Sequence, residues 1–139
     1  MPIERTLAII KPDAVYRGLT AEILTHIHQA GLTIRAIKSL RLTQVEAAAF
    51  YAVHRGRSFF PELTAFMSSG KIFVVVLEAE NAIALWRETM GATDPAKAAA
   101  GTIRREFGTS IQNNCTHGSD SPDTAAFEIG YFFPGHELL

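Results

Sequence analysis

Three stretches of the chain carry the apolar patterns of β-strands. Residues 5–10 (RTLAII) form a short apolar run, and residues 71–78 (KIFVVVLE) form a longer one that is rich in β-branched side chains. Residues 32–42 alternate between apolar and polar side chains, which predicts a half-buried strand with Lys38 as the polar exception on its apolar face. That face is expected to hold Leu32, Ile34, Ala36, Leu40 and Leu42. The run at 71–78 is the best candidate for a central strand.

Five helices are predicted from cap residues and from helical spacing. They cover residues 20–30, 43–53, 61–68, 81–91 and 121–133. Thr20 and Asn81 are expected N-caps, and Gly31 is an expected C′ residue. Thr43 opens a capping box, and Ser121 caps a helix that has proline at its first position. The expected buried faces hold Ile23, Ile27 and Ala30 in the first helix, and Ala125, Ala126, Ile129 and Phe132 in the last.

Residues 93–113 are long and irregular, apart from a possible turn near residues 102–107. A loop of this length inside a small domain is usually functional. A strand around residues 115–117 is too short to predict from pattern alone. The order is strand, helix, strand, helices, strand, helix, loop and helix, without repeats or linkers, and it predicts a single α/β domain over residues 1–139.

Composition and charge narrow the class of protein. The chain has 139 residues, of which 47% are hydrophobic and 19% charged, as in ordinary globular domains. A net charge of -1 gives no support to nucleic-acid binding. Cys115 is the only cysteine, which excludes an intrachain disulfide and suits a reducing compartment. No apolar run reaches the ~20 residues that span a bilayer, and the N-terminus does not read as a signal peptide, so we expect a cytoplasmic protein without membrane contact.

Two familiar phosphate-binding motifs are absent from the chain. Gly70-Lys71 is the only Gly-Lys pair, but Ala65 stands where a P-loop needs its first glycine, and Ile72 stands where it needs Ser or Thr. No G-x-G-x-x-G occurs either. Any phosphate chemistry must therefore use another arrangement.

Four of the five histidines are interpreted as ordinary structural or solvent-facing residues. His26 and His28 lie two apart on a predicted helix, so their side chains point about 200° apart and do not form a metal-binding pair. His54 and His136 are given a structural or solvated interpretation.

His117 differs from the other histidines because small turn-forming residues surround it. The stretch NCTHGSDSP places Gly118 directly after it and then a predicted helix N-terminus, whose free amides favour negative charge. Glu128 lies seven residues after Ser121, about two helical turns, so its carboxylate could orient the imidazole. The residues alone leave two interpretations open, a catalytic histidine and a turn residue that leads into a helix.

Several cations and polar residues form a chemical set suited to nucleotide phosphates and a ribose. Each cation taken singly is most often a solvated surface charge, whereas arginine binds phosphate oxygens in a bidentate manner and lysine acts as a compact point charge. Phe59 is either a helix-start packing residue or an aromatic face for a base. The set comprises Lys11, Tyr51, Arg87, Thr93, Arg104 and Asn114.

Four blocks of sequence resemble the nucleoside diphosphate kinase family. They are ERTLAIIKPDAVYRGL, FFPELTAFMSSG, WRETMGATDPAKAAAGTIRREFG and NCTHGSDSPDTAAFEIGYFF, in the family's order, and NxxHGSD is nearly diagnostic. The resemblance implies a ferredoxin-like α/β sandwich, with a four-stranded antiparallel sheet covered by helices. It also implies transfer of the γ-phosphate from a nucleoside triphosphate to a nucleoside diphosphate, by a ping-pong reaction through a phosphohistidine. The chain departs from the family pattern at Ser58, Lys71-Ile72 and Ala100.

By matched position, the resemblance also assigns roles to individual residues. His117 is the implied nucleophile, Ser119 and Glu128 support it, and Lys11 belongs to the catalytic group. The implied substrate-binding residues are Lys11, Tyr51, Phe59, Leu63, Arg87, Thr93, Arg104, Ile111 and Asn114, with Phe59 stacking on the base.

The resemblance further implies Mg²⁺ carried mainly by the nucleotide phosphates, with no protein metal ligands. It implies a homo-oligomer, either a tetramer or a hexamer built from dimers. Two other functions on the same fold stay open, a phosphohistidine carrier or protein kinase and a non-catalytic nucleotide-binding regulator. The joint presence of His117 and Glu128 favours the enzyme, because a regulator would not need both.

Overall fold

The computed structural model describes residues 2–138 and contains one four-stranded antiparallel sheet among them. The strands are β1 (Ile3–Ile10), β2 (Thr33–Leu40), β3 (Ile72–Glu80) and β4 (Thr116–Gly118). Their spatial order is β2-β3-β1-β4. Strands β1 and β3 are therefore central, and the three-residue β4 is an edge strand that pairs only with β1.

Helices surround the sheet between these strands. The α-helices are α1 (Pro12–Tyr16), α2 (Thr20–Gln29), α3 (Gln44–Phe50), α4 (Phe60–Met67), α5 (Ala82–Met90), α6 (Ile103–Phe107) and α7 (Pro122–Phe132). Short 3-10 helices occupy Ala52–His54, Pro95–Lys97 and Gly135–Leu138. Within residues 2–138, no helix combines the length and the apolar character needed to cross a bilayer.

Each face of the sheet buries its own apolar core, because successive strand residues point to opposite faces. Leu7 and Val76 belong to one core, which α3, α4 and α7 cover. Ala8 and Leu77 belong to the other core, which α2, α5 and α6 cover. The sheet covered by helices on both faces confirms the predicted α/β sandwich.

The two apolar runs form the central strands, but the alternating strand differs from its prediction. In β2 the register shifts between Ile34, which faces Leu77, and Ala36, which faces Val76. This β-bulge moves the side chains on its two sides to opposite faces of the sheet. The prediction that Leu32 and Leu40 share one face is therefore wrong, and they pack in different cores.

Most helix boundaries agree with the predictions, and the differences have local causes. The predicted capping box forms at Thr43, and Ser121 caps α7 as predicted, in a second capping box that it makes with Thr124. Thr20 is not an N-cap, because it already lies inside α2 and no side chain caps that helix. Asn81 precedes α5 in the left-handed conformation, with φ of 53°, and its side chain makes no cap hydrogen bond. Ala126 was predicted to be buried but is exposed, because the face of α7 towards the sheet is narrower than expected.

Candidate active site

His117 lies at the centre of β4, paired with Ile9 of the central strand β1. Its ring is mostly buried, with 21% of the side chain exposed. The rings of Phe50 and Tyr51 meet the imidazole edge-on, at centroid distances of 5.7 and 6.0 Å. The ring is therefore held between the sheet and the end of α3, and it still lines a cleft at the surface.

A carboxylate and a hydroxyl hold one side of the His117 ring. Nε2 of His117 lies 2.8 Å from Oε1 of Glu128, which is carried by α7. Ser119 Oγ donates to the same carboxylate oxygen at 2.9 Å and accepts from the Leu7 amide at 3.2 Å. Because an ionised carboxylate can only accept, the hydrogen bond requires the proton on Nε2. Nδ1 then keeps its lone pair, and no residue among 2–138 makes a hydrogen bond to it.

The turn before β4 has an unusual backbone conformation. Cys115 lies in the left-handed region with φ of 76°, which is uncommon for a residue other than glycine. Its amide donates to Oδ2 of Asp13 at 3.1 Å, and its carbonyl accepts from the Lys11 amide at 2.9 Å. Burial, assisted by Asp13, raises the pKa of the Cys115 thiol to about 11, so the thiol stays neutral at physiological pH. Lys11 and Asp13, which follow β1, thus hold the backbone of Cys115 just before β4.

The cleft at His117 has a volume of about 240 Å³ and gathers side chains that are far apart in the sequence. Of the twelve predicted site residues, nine line it: Lys11, Tyr51, Leu63, Arg87, Thr93, Arg104, Ile111, Asn114 and His117. Ser119 and Glu128 lie behind the histidine and not in the cleft. Phe59 lies outside the cleft lining, half-exposed, with its ring centroid 5.4 Å from that of His54.

Lys11 is a buried cation at the end of β1, with only 7% of the residue exposed. Nζ donates to the carbonyl of Gln112 at 2.9 Å and to Oδ1 of Asn114 at 2.8 Å. Asn114 Nδ2 in turn donates to the Thr93 carbonyl at 3.0 Å. Desolvation lowers the pKa of Lys11 to about 8, although the nearby Asp13 carboxylate opposes that shift. The ammonium therefore lacks a carboxylate hydrogen-bond partner and is available to an anion.

Arg104 is the second buried cation and is carried by α6. Its Nη2 donates to the Thr116 carbonyl in β4 at 2.8 Å, and its Nη1 donates to the Gly91 carbonyl at 3.0 Å. Nε is buried without a partner. Burial, reinforced by Arg87, lowers the pKa of Arg104 to about 10, so it remains protonated at neutral pH. Its partners within the described part of the chain are neutral carbonyls, so no carboxylate there compensates its charge through a hydrogen bond.

Arg87 stands at the exposed side of the cleft. Its Nη1 donates to Oδ1 of Asp120 at 2.7 Å, and both side chains are largely exposed. An exposed pair of this kind is weak and is screened by salt. A phosphate with a higher charge density can therefore compete with Asp120 for the guanidinium.

Aromatic side chains line the route from His117 to Phe59. Tyr51 and His54 are nearly parallel, with ring centroids 6.3 Å apart, and His54 lines the cleft. Burial, assisted by Glu128, raises the pKa of Tyr51, so its hydroxyl stays neutral. The guanidinium of Arg57 lies 5.6 Å from the Phe59 ring centroid, on the outer side of the site.

Some cleft residues escaped the sequence reasoning. His54 was interpreted as structural or solvated, but it lines the cleft, together with Met90, Thr116, Gly118 and Asp120. The spacing between Tyr51 and His54, three residues at the end of a helix, was the one available signal, because it places both rings on one side.

The cleft chemistry suits an anion with several charges. Three cations line the same cleft as a histidine with a free ring nitrogen, and Asp120 is the one acidic side chain in the lining among residues 2–138. Within residues 2–138, no group of three or more His, Cys, Asp or Glu side chains could hold a metal ion. A larger groove of about 530 Å³ runs beside Tyr16 and Phe66, but it holds no histidine. The arrangement at His117 can bind phosphates and present a nucleophilic nitrogen to them.

The comparisons with known proteins agree on one family. The family model described as nucleoside diphosphate kinase matches residues 4–138. A curated relative of that name from Syntrophotalea carbinolica is 57% identical over 137 residues, which cover 99% of this chain and 100% of the relative. Another relative of that name, from Sorangium cellulosum, is 54% identical over 138 residues, which cover 99% of this chain and 96% of the relative.

Solved structures agree with the sequence relatives. The Aquifex aeolicus nucleoside diphosphate kinase superposes with a TM-score of 0.96 at 46% identity, covering 99% of this chain and 100% of that one. A nucleoside diphosphate kinase from Halobacterium salinarum, solved in complex with CDP, superposes with a TM-score of 0.94 at 39% identity, covering 99% and 92%.

Proposed function

The chain belongs to the nucleoside diphosphate kinase family, and from that premise we propose that His117 carries the phosphoryl group in a ping-pong reaction. The reaction transfers the γ-phosphate of a nucleoside triphosphate to a nucleoside diphosphate. One observation carries the proposal for His117: Glu128 binds Nε2 of the imidazole, which leaves Nδ1 with its lone pair in a cleft lined by three cations.

In the first step, the lone pair on Nδ1 attacks the γ-phosphorus of the triphosphate. A nitrogen–phosphorus bond forms as the bond between the γ-phosphorus and the bridging oxygen breaks, and that oxygen leaves with its electron pair as part of the diphosphate. The phosphorylated ring keeps its Nε2 proton and carries a positive charge, which the Glu128 carboxylate at 2.8 Å stabilises. The second step reverses the first, with a terminal oxygen of another diphosphate attacking the phosphohistidine.

The cations supply most of the charge stabilisation that phosphoryl transfer requires. A unit charge at about 4 Å contributes about 4 kcal/mol at an effective dielectric constant of about 20. Lys11 and Arg104 are buried, so solvent screens them less than it screens the exposed Arg87. We therefore assign Lys11 and Arg104 to the transferring phosphate and Arg87 to a more peripheral one.

The remaining site residues bind the rest of the nucleotide. Phe59 stacks on the base, and Leu63 and Ile111 flank it, while Tyr51, Thr93 and Asn114 contact the sugar and phosphates. Stacking recognises the face of a base and not its edge, so purine and pyrimidine nucleotides are both accepted, with either ribose or deoxyribose.

We also propose that Mg²⁺ enters with the nucleotide as part of the substrate. The donors in the cleft are cations and neutral groups, apart from Asp120, and this set fits phosphate oxygens better than a metal ion. We further propose that residues 1–139 act as one catalytic domain, and the free thiol of Cys115 suits a reaction in the reducing cytoplasm.

We propose that the chain forms a homo-oligomer built from dimers. Strand β2 is an edge strand of the sheet, and two of its apolar side chains, Ile34 and Ile37, are 39% and 43% exposed. An edge strand with exposed apolar residues favours pairing with another chain. Light scattering on the purified protein distinguishes a tetramer from a hexamer.

Labelling with γ-³²P-ATP tests the role of His117. The wild-type protein is expected to take up label that is stable to base and labile to acid, as a phosphohistidine is, and to pass it to added diphosphate. His117→Ala removes the nitrogen and should show no label, whereas the control His28→Ala, an exposed residue on α2, should label normally.

The same experiment separates the rival functions. A non-catalytic regulator would bind nucleotide but take up no label in the wild-type protein. A phosphohistidine carrier would take up label and fail to return it to a nucleoside diphosphate. Label retained by His117→Ala would contradict the assignment of the nucleophile.

A further inference from the structure

Trp86 contacts the main chain of the proposed nucleophile without itself lining the cleft. It is the only tryptophan of the chain, lies in α5 and is fully buried. Its indole Nε1 donates to the backbone carbonyl of His117 at 3.1 Å. Unlike Met90 from the same helix, Trp86 does not line the cleft. Its link to the site therefore runs through the backbone of His117.

The indole also packs directly on the next residue of β4. A Cβ added at Gly118 would lie 2.6 Å from Cδ1 of Trp86, 2.9 Å from its Nε1 and 2.6 Å from Cε of Met90. Side-chain atoms essentially never approach so closely, so the space beside Gly118 is filled by the indole ring. The absence of a side chain at Gly118 is what lets the indole reach the His117 carbonyl.

Strand β4 needs such support because it is short. Three residues pair with β1 alone, at the edge of the sheet. Two side chains bind its carbonyls from outside the sheet: Arg104 binds Thr116, and Trp86 binds His117. Arg104 also lines the cleft and is assigned to the phosphate, whereas Trp86 is outside the lining and has no assigned contact with a ligand.

We propose that Trp86 is a positioning residue for phosphoryl transfer, which fixes the main chain of His117 through its indole N–H and its packing against Gly118. This inference rests on the proposed phosphohistidine at His117. In-line attack depends on the position of Nδ1, and small displacements of a reacting group cost much of the rate. Trp86 does not itself line the cleft, and the cleft residue it packs on, Gly118, has no assigned contact with the nucleotide, so loss of Trp86 should slow the transfer step and leave nucleotide binding unchanged.

Two replacements at position 86 remove the hydrogen bond, and the second of them also keeps the shape of the indole. Trp86→Phe keeps an aromatic ring without the N–H group. Since the chain has one tryptophan, growth on benzothienylalanine replaces only this residue by an analogue with sulfur in place of the indole nitrogen. The analogue keeps the volume of the ring, so it serves if Trp86→Phe folds poorly. Ile27→Val, which removes one methylene from the same core, is the matched control.

Rapid-quench measurement of phosphoenzyme formation separates a positioning role from a general structural one. The burst amplitude gives the number of active sites, and the burst rate constant gives the rate of phosphoryl transfer at each site. Loss of one neutral hydrogen bond is expected to lower the rate constant by about fivefold, with the KM for nucleotides unchanged and the control at the wild-type rate. Thermal unfolding of each variant is measured alongside.

Three results would overturn the inference: a wild-type rate constant in both replacements, a smaller burst at an unchanged rate constant, or a raised KM with an unchanged rate constant. All three leave the phosphohistidine intact, because that depends on His117→Ala failing to label. If His117→Ala labels normally, the proposed function fails first, and the two failures are thus distinguishable.

Discussion

Nucleotide binding should be linked to protonation of Lys11 between pH 7 and 9. The Lys11 ammonium is buried, and desolvation lowers its pKa from 10.5 to about 8. Asp13 raises this pKa in part, and Arg104 lowers it further. Near pH 8 about half of the free protein therefore carries a neutral Lys11. A nucleotide phosphate placed beside Nζ changes that balance.

The size of the change follows from the charges in the cleft. A phosphate charge at about 4 Å stabilises the ammonium by about 4 kcal/mol at an effective dielectric constant of about 20. That energy favours the charged ammonium by about a thousandfold, so the pKa of Lys11 rises well above 8 and Lys11 is fully protonated in the complex at pH 8. Binding at pH 8 should therefore take up about half a proton per chain.

The direction of the pH dependence follows from the same shift. The pKa of Lys11 is higher in the complex than in the free protein, so the contribution of Lys11 to the affinity is constant below pH 7, where both states carry the proton. As the pH rises above 8, the free protein loses the proton that the complex retains. Affinity should then fall by up to about tenfold per pH unit. Arg104 and Cys115, with pKa values of about 10 and 11, titrate above this window.

Calorimetry measures this proton directly. ADP is titrated into the unphosphorylated protein at pH 7, 8 and 9, in buffers that differ in their enthalpy of ionisation, and the slope gives the number of protons taken up. Lys11→Arg is the matched control, because a guanidinium keeps its charge throughout the window. The difference between the two proteins removes contributions from the nucleotide and from other groups.

A wild-type uptake close to zero at pH 8 would refute the reasoning, because it would mean that Lys11 is already fully charged in the free protein. Proton uptake in Lys11→Arg equal to that of the wild-type protein would also refute the reasoning, because the proton would then bind to a group other than Lys11.

Two further substitutions probe the two ends of the site. Phe59→Ala removes the stacking face, so the KM should rise by about 5- to 100-fold in steady-state assays. The rise should be similar for ADP, GDP and CDP, and a rise for one base alone would contradict recognition by stacking. Glu128→Gln keeps a hydrogen-bonding group but removes the negative charge beside the imidazole. The rate of phosphoenzyme formation, measured by stopped flow, should therefore fall by about 10- to 100-fold with little change in KM. A wild-type rate would exclude the proposed charge stabilisation.

The parts of the fold that could be predicted from sequence are those with a strong local cause. The β-branched run predicted β3, the capping box at Thr43 predicted the start of α3, and the Ser121 cap followed by proline predicted the start of α7. Each of these signals acts over a few neighbouring residues. The bulge in β2 has no such cause. It depends on pairing with β3, and its one-residue shift reverses the faces of every later side chain.

The candidate site shows the same division between local and long-range causes. The sequence blocks identified nine residues that line the cleft, because side chains that bind a ligand must have a particular chemistry. His54 was given a structural or solvated interpretation, because its spacing of three residues from Tyr51 was too weak a signal to place it in the cleft. What places it in the cleft is its packing beside Tyr51 at the end of α3.

Residues that hold the backbone of the site are harder still to identify, and Trp86 illustrates the reason. Its partner is the carbonyl of His117, and the partner of Asp13 is the amide of Cys115. Every residue has a carbonyl and almost every residue has an amide, so neither partner leaves a mark in the sequence. A ligand-binding side chain can be inferred from its own chemistry, whereas a side chain that binds the main chain becomes visible only when the fold brings the two together. Side chains that bind the main chain can therefore be identified only from a structure. Further residues that determine the rate of the reaction should be sought among them.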